Sequence, residues 1–192
     1  MRLSGLAAWV LGIAVLAASP AAAYDIDPVT RLPIVPFGQD GRARATPIPR
    51  ETVAYNGPHR GGTIIVSTKE RRLYLVTGEG KAIRYGVGIG RPGFEWGGSM
   101  AVSRKAEWPD WRPPPQMLKR RPDLPKHMPG GPENPLGARA LYLGKTLYRI
   151  HGSNEPETIG QAVSSGCVRM LNEDVIDLYS RVRVGTRVVV VR

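Results

Sequence analysis

Cysteine is nearly missing from this chain of 192 residues, which holds one, Cys167. A single thiol closes no internal disulfide, so Cys167 is a partner for another chain, an inert buried residue or a free reactive group. Its position far down the chain also excludes a lipid anchor carried on a cysteine just behind a leader. Histidine is scarce as well. His59, His127 and His151, with one cysteine, make no metal-ligand pattern, so neither a metal nor another cofactor is expected. Acidic residues number 16 against 27 lysines and arginines, a formal charge of +11. Long apolar runs are lacking too: residues 6–18 fall short of the about 20 residues that a helix needs to cross a bilayer.

What is present begins with a leader. Arg2, the apolar run and Ala21-Ala22-Ala23 have the form of a secretory signal peptide. Residues 1–23 are therefore expected to be removed and the protein exported to the periplasm or cell wall, with no stable membrane anchor. Without Arg2, 26 basic residues still face 16 acidic ones. Such a charge suits anionic or carboxylate-rich partners at the wall or membrane surface, or is simply a solvated surface. Nucleic acid is a poor partner, because the basic residues are spread along the chain and export separates the two. Residues 24–58, with Pro28, Pro33, Pro36, Pro47 and Pro49 and no apolar period, read as a tail or linker. Residues 59–192 have the length of one domain with an ordinary core.

That domain reads as mainly β with one main helix. Residues 63–67 and 73–76 form β-branched or aromatic runs either side of a polar turn, a hairpin, and residues 82–87 add a third strand. Ten prolines and three tryptophans fall between 91 and 135, so this stretch is expected to be largely irregular, a lid or substrate-groove wall packed by Trp96, Trp108 and Trp111, or simple cladding. Residues 140–143 and 147–150 read as another strand pair that runs into His151. Asn172 is placed to cap a helix with Val175, Ile176, Leu178, Tyr179 and Val182 inward. The final run of valines, 188–191, reads as a strand buried on both faces.

The chemistry concentrates between His151-Gly152 and Ser164-Ser165-Gly166-Cys167-Val168-Arg169-Met170. A thiol attacks well only as the thiolate, so it needs a base within hydrogen-bond reach, and the acyl oxyanion needs N–H donors. His151 is the base in this segment. Gly166 allows a tight turn that exposes the sulfur, and the backbone N–H groups of Ser165, Gly166 and Cys167 are expected to form the oxyanion hole. His59 and His127 have no partner pattern.

Ile-His-Gly followed by Ser-x-Gly-Cys-Val-Arg-Met resembles the signature of the L,D-transpeptidase family, the YkuD domain. The resemblance extends to the Gly-Thr-Ile-Ile-Val strand, Gly86-Val87-Gly88-Ile89-Gly90, Pro135-Leu136-Gly137 and the Asn-Glu-Asp helix start, over residues 59–192. It implies a β-sandwich-like catalytic domain in which Cys167 forms a thioester with a peptidoglycan tetrapeptide stem and releases the terminal D-alanine. An acceptor amine, on a second stem or on a wall-attached protein, then resolves the acyl-enzyme. His151 shuttles the proton, with a backbone carbonyl near Gly152 or Ser153 orienting the ring. The resemblance also puts Tyr142 and Ser164 at the site, leaves Arg169 either binding a stem carboxylate or holding the loop, and implies acylation by carbapenems. Ser165 stands where the family usually has a histidine, and cannot act as a base.

Two other readings stay open. Water in place of the amine would make an L,D-carboxypeptidase or hydrolase of the same scaffold. A non-catalytic wall-binding protein would need no reactive thiol. For the first, Trp108 and Trp111 are expected to wall the acceptor site and so decide between crosslink and hydrolysis.

Overall fold

The computed structural model describes residues 48–192; the expected signal peptide, residues 1–23, and most of the expected tail lie outside that range. In chain order the strands are β1 (Glu51–Ala54), β2 (Ile64–Ser67), β3 (Arg72–Gly78), β4 (Lys81–Gly86), β5 (Ile89–Gly90) and β6 (Gly98–Glu107). Helix α1 (Pro115–Arg120) precedes β7 (Arg139–Leu143), β8 (Arg149–His151), β9 (Ala162–Ser164) and β10 (Val168–Arg169), then α2 (Asn172–Arg181) and β11 (Arg187–Val191). Nine strands form one sheet in the order β1-β4-β3-β2-β11-β6-β7-β8-β10, and β5 pairs with β9 separately. The fold is mostly strand with few helices, as expected.

The opening meander follows the sequence pattern: β2, β3 and β4 pair antiparallel in succession. β2 lies between β3 and β11, and all four of its residues are buried. Its unbroken Ile-Ile-Val run fits a strand covered on both faces. β11 differs from expectation. Val188 and Val190 are buried while Val191 is 41% exposed, so the valine run covers a strand buried on alternate residues, a difference that four identical residues conceal.

Two segments expected to be irregular are strands. Glu51–Ala54, placed in the tail by its prolines, pairs with β4 at the sheet edge. Residues 98–107 form the longest strand, β6, in the middle of the expected lid. Proline averaged over residues 91–135 hid the fact that 93–108 contain none. β6 is also the corner of the sheet. Its first residues pair with β11 and its later ones with β7, across a register shift between Val102 and Arg104. Long strands that bend at an irregularity let one sheet fold over toward itself. The buried cluster, with Tyr85, Leu73, Leu141, Ile150, Met170 and Leu178, fills the interior behind β8 and β10.

α2 begins one residue earlier than a capping Asn172 would place it, with Leu171 at the cap position and no side-chain cap bond. Val175, Leu178 and Val182 face inward as expected, but Ile176 is 43% exposed. Asn172 instead ties two loops. Its Oδ1 accepts from the Ala138 N–H at 2.9 Å and its Nδ2 donates to the Ser153 carbonyl at 3.2 Å.

Candidate active site

β8 and β10 are three and two residues long and run parallel, with Ile150 opposite Val168 and His151 opposite Arg169. Side chains on a strand alternate between faces, and residues in register share one. Ile150, Val168 and Met170 therefore point together into the core, where all three are buried. By the same parity Arg149, His151, Cys167 and Arg169 share the other face, and all four line one cavity of about 770 Å³. Strand pairing thus joins two residues sixteen positions apart in the chain.

His151 is buried, and its Nδ1 lies 2.5 Å from the Gly152 carbonyl oxygen. A carbonyl only accepts, so Nδ1 carries the ring proton and Nε2 keeps its lone pair. Burial first, then the Arg169 charge, holds the imidazole pKa down to about 3; the Gly152 bond pulls the other way, and Arg149 adds to the depression. Of the two carbonyls expected to orient the ring, Gly152 does so and Ser153 is engaged by Asn172. The half-buried Cys167 thiol donates a long bond to the Leu147 carbonyl at 3.7 Å. Burial pushes its pKa up, opposed by the Arg149 charge, backbone N–H and guanidinium and then by Arg169. At neutral pH the resting pair is a neutral thiol and a neutral imidazole. Among the described residues no carboxylate contributes to either shift, and the partner of His151 Nδ1 is the Gly152 carbonyl.

The turn that presents the thiol is held from several sides. Gly166 has φ +104°, a left-handed conformation, and a Cβ there would sit 2.6 Å from Tyr148 Cε1. Tyr148 stacks on Trp96 with ring centroids 4.6 Å apart, and Trp96 Nε1 donates to the Gly166 carbonyl at 2.8 Å. Ser164 Oγ donates to the Cys167 carbonyl at 2.6 Å and accepts the Gly166 N–H at 3.1 Å. That last bond corrects the expected oxyanion hole. The Gly166 N–H is already used, whereas those of Ser165 and Cys167 have no partner among the described residues. Ser165 Oγ accepts from Arg91 at 3.3 Å.

Ser164 and Arg169 both border the cavity, yet each is committed to structure. Arg169 holds Glu155 at 2.5 Å and Thr158 Oγ1 at 3.3 Å, which fastens the segment between His151 and Cys167. Tyr142 lies elsewhere, in a separate cleft of about 410 Å³ that shares only Arg149 with the first. Trp111 borders the catalytic cavity with Phe94, Met117, Leu124 and Met128, but Trp108 does not and is 44% exposed. Arg149 and Tyr148 were not singled out by sequence, and Trp96 was read only as packing of the lid. Arg149 could have been, since it stands two residues before His151 on the same strand and so shares its face. The pairing of Trp96 with Tyr148 carried no local signal. Among the described residues no group of three His, Cys, Asp or Glu side chains is placed to hold a metal, and no helix is long and apolar enough to cross a membrane.

Residues 61–190 match the family model for YkuD, the L,D-transpeptidase catalytic domain. A probable L,D-transpeptidase of Escherichia coli K12, ErfK/SrfK, is 38% identical over 153 residues, 75% of this chain and 48% of that protein. The chain spans about half the length of the curated relatives it matches first. A Brucella melitensis crystal structure titled a probable carnitine operon oxidoreductase is 45% identical over 75% of this chain and 94% of its own, with a TM-score of 0.51. Its title names a different reaction class from that of the family model and the E. coli relative. An L,D-transpeptidase structure from Mycobacterium smegmatis, 14% identical over 68% of this chain and 58% of its own, has a TM-score of 0.55 and shares the fold.

Proposed function

Because the chain belongs to the L,D-transpeptidase (YkuD) family, we propose that it is an exported, cysteine-dependent acyltransferase of the cell wall that acts on peptidoglycan tetrapeptide stems through a Cys167 thioester. The observation that carries the reading is the shared face of β8 and β10, which brings thiol and imidazole to one cavity. In the first half-reaction Cys167 Sγ attacks the stem carbonyl while its proton moves to His151 Nε2. The oxyanion is taken by the free N–H groups of Ser165 and Cys167. The proton then passes to the departing amine of the terminal residue as the C–N bond breaks, leaving the thioester. In the second, an acceptor amine forms the new C–N bond, gives its proton to Nε2, and the sulfur leaves and recovers it.

Neutral resting groups suit this sequence, because the proton moves together with the attack and no ion pair has to be maintained in a buried site. The acceptor is the amine of a second stem, giving a 3–3 crosslink, or an amine of a protein to be joined to the wall. The test is the intact mass of the protein after incubation with a carbapenem, beside Cys167→Ala and His151→Ala. A single adduct that needs Cys167 and slows without His151 supports the reading. No adduct on wild type, with a thiol also inert to small alkylating reagents, would overturn it in favour of a wall-binding protein.

A further inference from the structure

On the catalytic face, Arg149 is an arginine with no ion-pair partner among the described residues. Its Nε is buried and donates to nothing among the described residues. No carboxylate forms an ion pair with it there, whereas Arg169 beside it is tied to Glu155. Arg149 borders the same cavity as Cys167, and its guanidinium lies 5.2 Å from the centre of the Tyr142 ring. Arg104 lies over the same ring at 3.6 Å, also without an ion-pair partner among the described residues. Both arginines line the second cleft, and Arg149 opens from it into the catalytic cavity. Asp110, the carboxylate of that cleft, is occupied by His127 at 3.0 Å and by the Gly130 N–H. Two unneutralised guanidiniums on one phenol ring form a site for an anion, and the planar fork of arginine fits a carboxylate.

Position says which carboxylate. Because Arg149 and Cys167 border one cavity, an anion held by Arg149 lies in the space that an amine attacking the thioester carbon has to enter, which favours an anion carried close to the amine nitrogen. An amine whose own carbon carries a carboxylate meets that spacing; the side-chain amine of a protein lysine does not. The leaving and entering amines occupy the same position at the acyl carbon, so one subsite would serve the terminal amino acid that departs and the amine that replaces it. We infer that Arg149, with Arg104 behind it, is a carboxylate subsite that selects amines bearing a carboxylate on the carbon that carries the amine. The inference rests on the transpeptidase reading, and in it Arg149 touches substrate without taking part in the proton transfers.

The experiment is terminal-residue exchange on a tetrapeptide stem, with glycine and glycinamide competing for the same acyl-enzyme and the products weighed by mass spectrometry. Donor binding and acylation rate cancel in the product ratio, and the intrinsic reactivity of the two amines cancels between wild type and variants. Arg149→Met should lower the glycine preference by roughly tenfold or more, the scale of one charged hydrogen-bonded contact. Arg149→Lys should keep part of the preference, and Arg104→Met, farther from the sulfur, should lower it less. A ratio unchanged in these variants, with the Cys167 acyl-enzyme still forming, overturns the subsite and leaves the transpeptidase reading standing. Absence of any acyl-enzyme from the stem on wild type overturns both.

Discussion

A depressed imidazole and a raised thiol give the residue scale its sharpest expectation. An unperturbed histidine would lose its basic form as pH falls through about 6.5, and activity would fall with it. His151, held down to about 3, keeps its lone pair through that range. Single-turnover thioester formation should therefore be nearly level between about pH 5 and 7, and a limb near 6.5 would show a solvated, protonatable ring. His151→Gln should slow the same step by roughly 10²–10⁴-fold, the usual worth of a positioned base. Gly166→Ala should be costly for a different reason. It forces a left-handed backbone, worth about 1–2 kcal/mol, and drives a methyl into Tyr148. The expected result is a lower Tm together with slower acylation by a carbapenem. Cys167 and the need for Gly166 were legible in sequence because they lie in one short word, and His151 because it stands in a second, Ile-His-Gly, sixteen positions earlier. The engagement of the Gly166 N–H by Ser164 was not, since which N–H groups a turn consumes depends on its exact dihedrals.

Among the elements, the lid divides differently from the sequence expectation. β6 belongs to the sheet, so the covering segment is the proline-dense stretch from Pro109 with α1, whose Met117 and Arg120 border the cavity. Trp111→Ala should raise the share of hydrolysed over transferred product, because Trp111 walls the cavity in which water competes with the acceptor. Trp108→Ala should leave that share unchanged, being outside the cavity. Chromatography of the products from one stem donor and one acceptor amine checks both, and equal effects would dissolve the distinction. The meander β2–β4 and helix α2 were readable because their apolar periods match their burial. β1 and β6 were not: β1 is short and sits among prolines, β6 is poor in β-branched residues, and their place comes from partners far along the chain, β4 for one and β11 with β7 for the other.

At the scale of the whole molecule, Arg50, near the start of the described residues, bridges toward α2, 3.4 Å from Asp177 and 3.8 Å from Asp174. Asp177 is well supplied, with Arg181 at 2.9 Å and the Tyr85 hydroxyl at 2.7 Å. Asp174 is buried with only the longer contact, and desolvation raises its pKa to about 6. A carboxyl whose folded pKa exceeds its unfolded value binds more protons when folded, so its contribution to stability is present below about pH 4 and is lost as pH rises to about 6. Asp174→Asn should accordingly match wild type near pH 4 and exceed it at pH 7, by about 1–3 kcal/mol. Denaturant midpoints at the two pH values measure this, and a variant less stable at pH 7 would mean the ion pair with Arg50 outweighs burial. Of the global properties, charge and the mostly-β class were evident from composition and pattern, while the fold-over of the sheet at β6 needed three dimensions.

The parallel register of β10 on β8 has a consequence for how this scaffold can change. Because two residue pairs bring thiol and imidazole to one face and one cavity, the length of chain between them is not a ruler for the active site. The segment from Asn154 to Gln161 borders the cavity and is fastened by Arg169, so it works as an exchangeable rim. Lengthening or replacing it should alter which substrates enter while leaving the reactive pair intact, which makes it the natural place to graft a new specificity onto an unchanged catalyst.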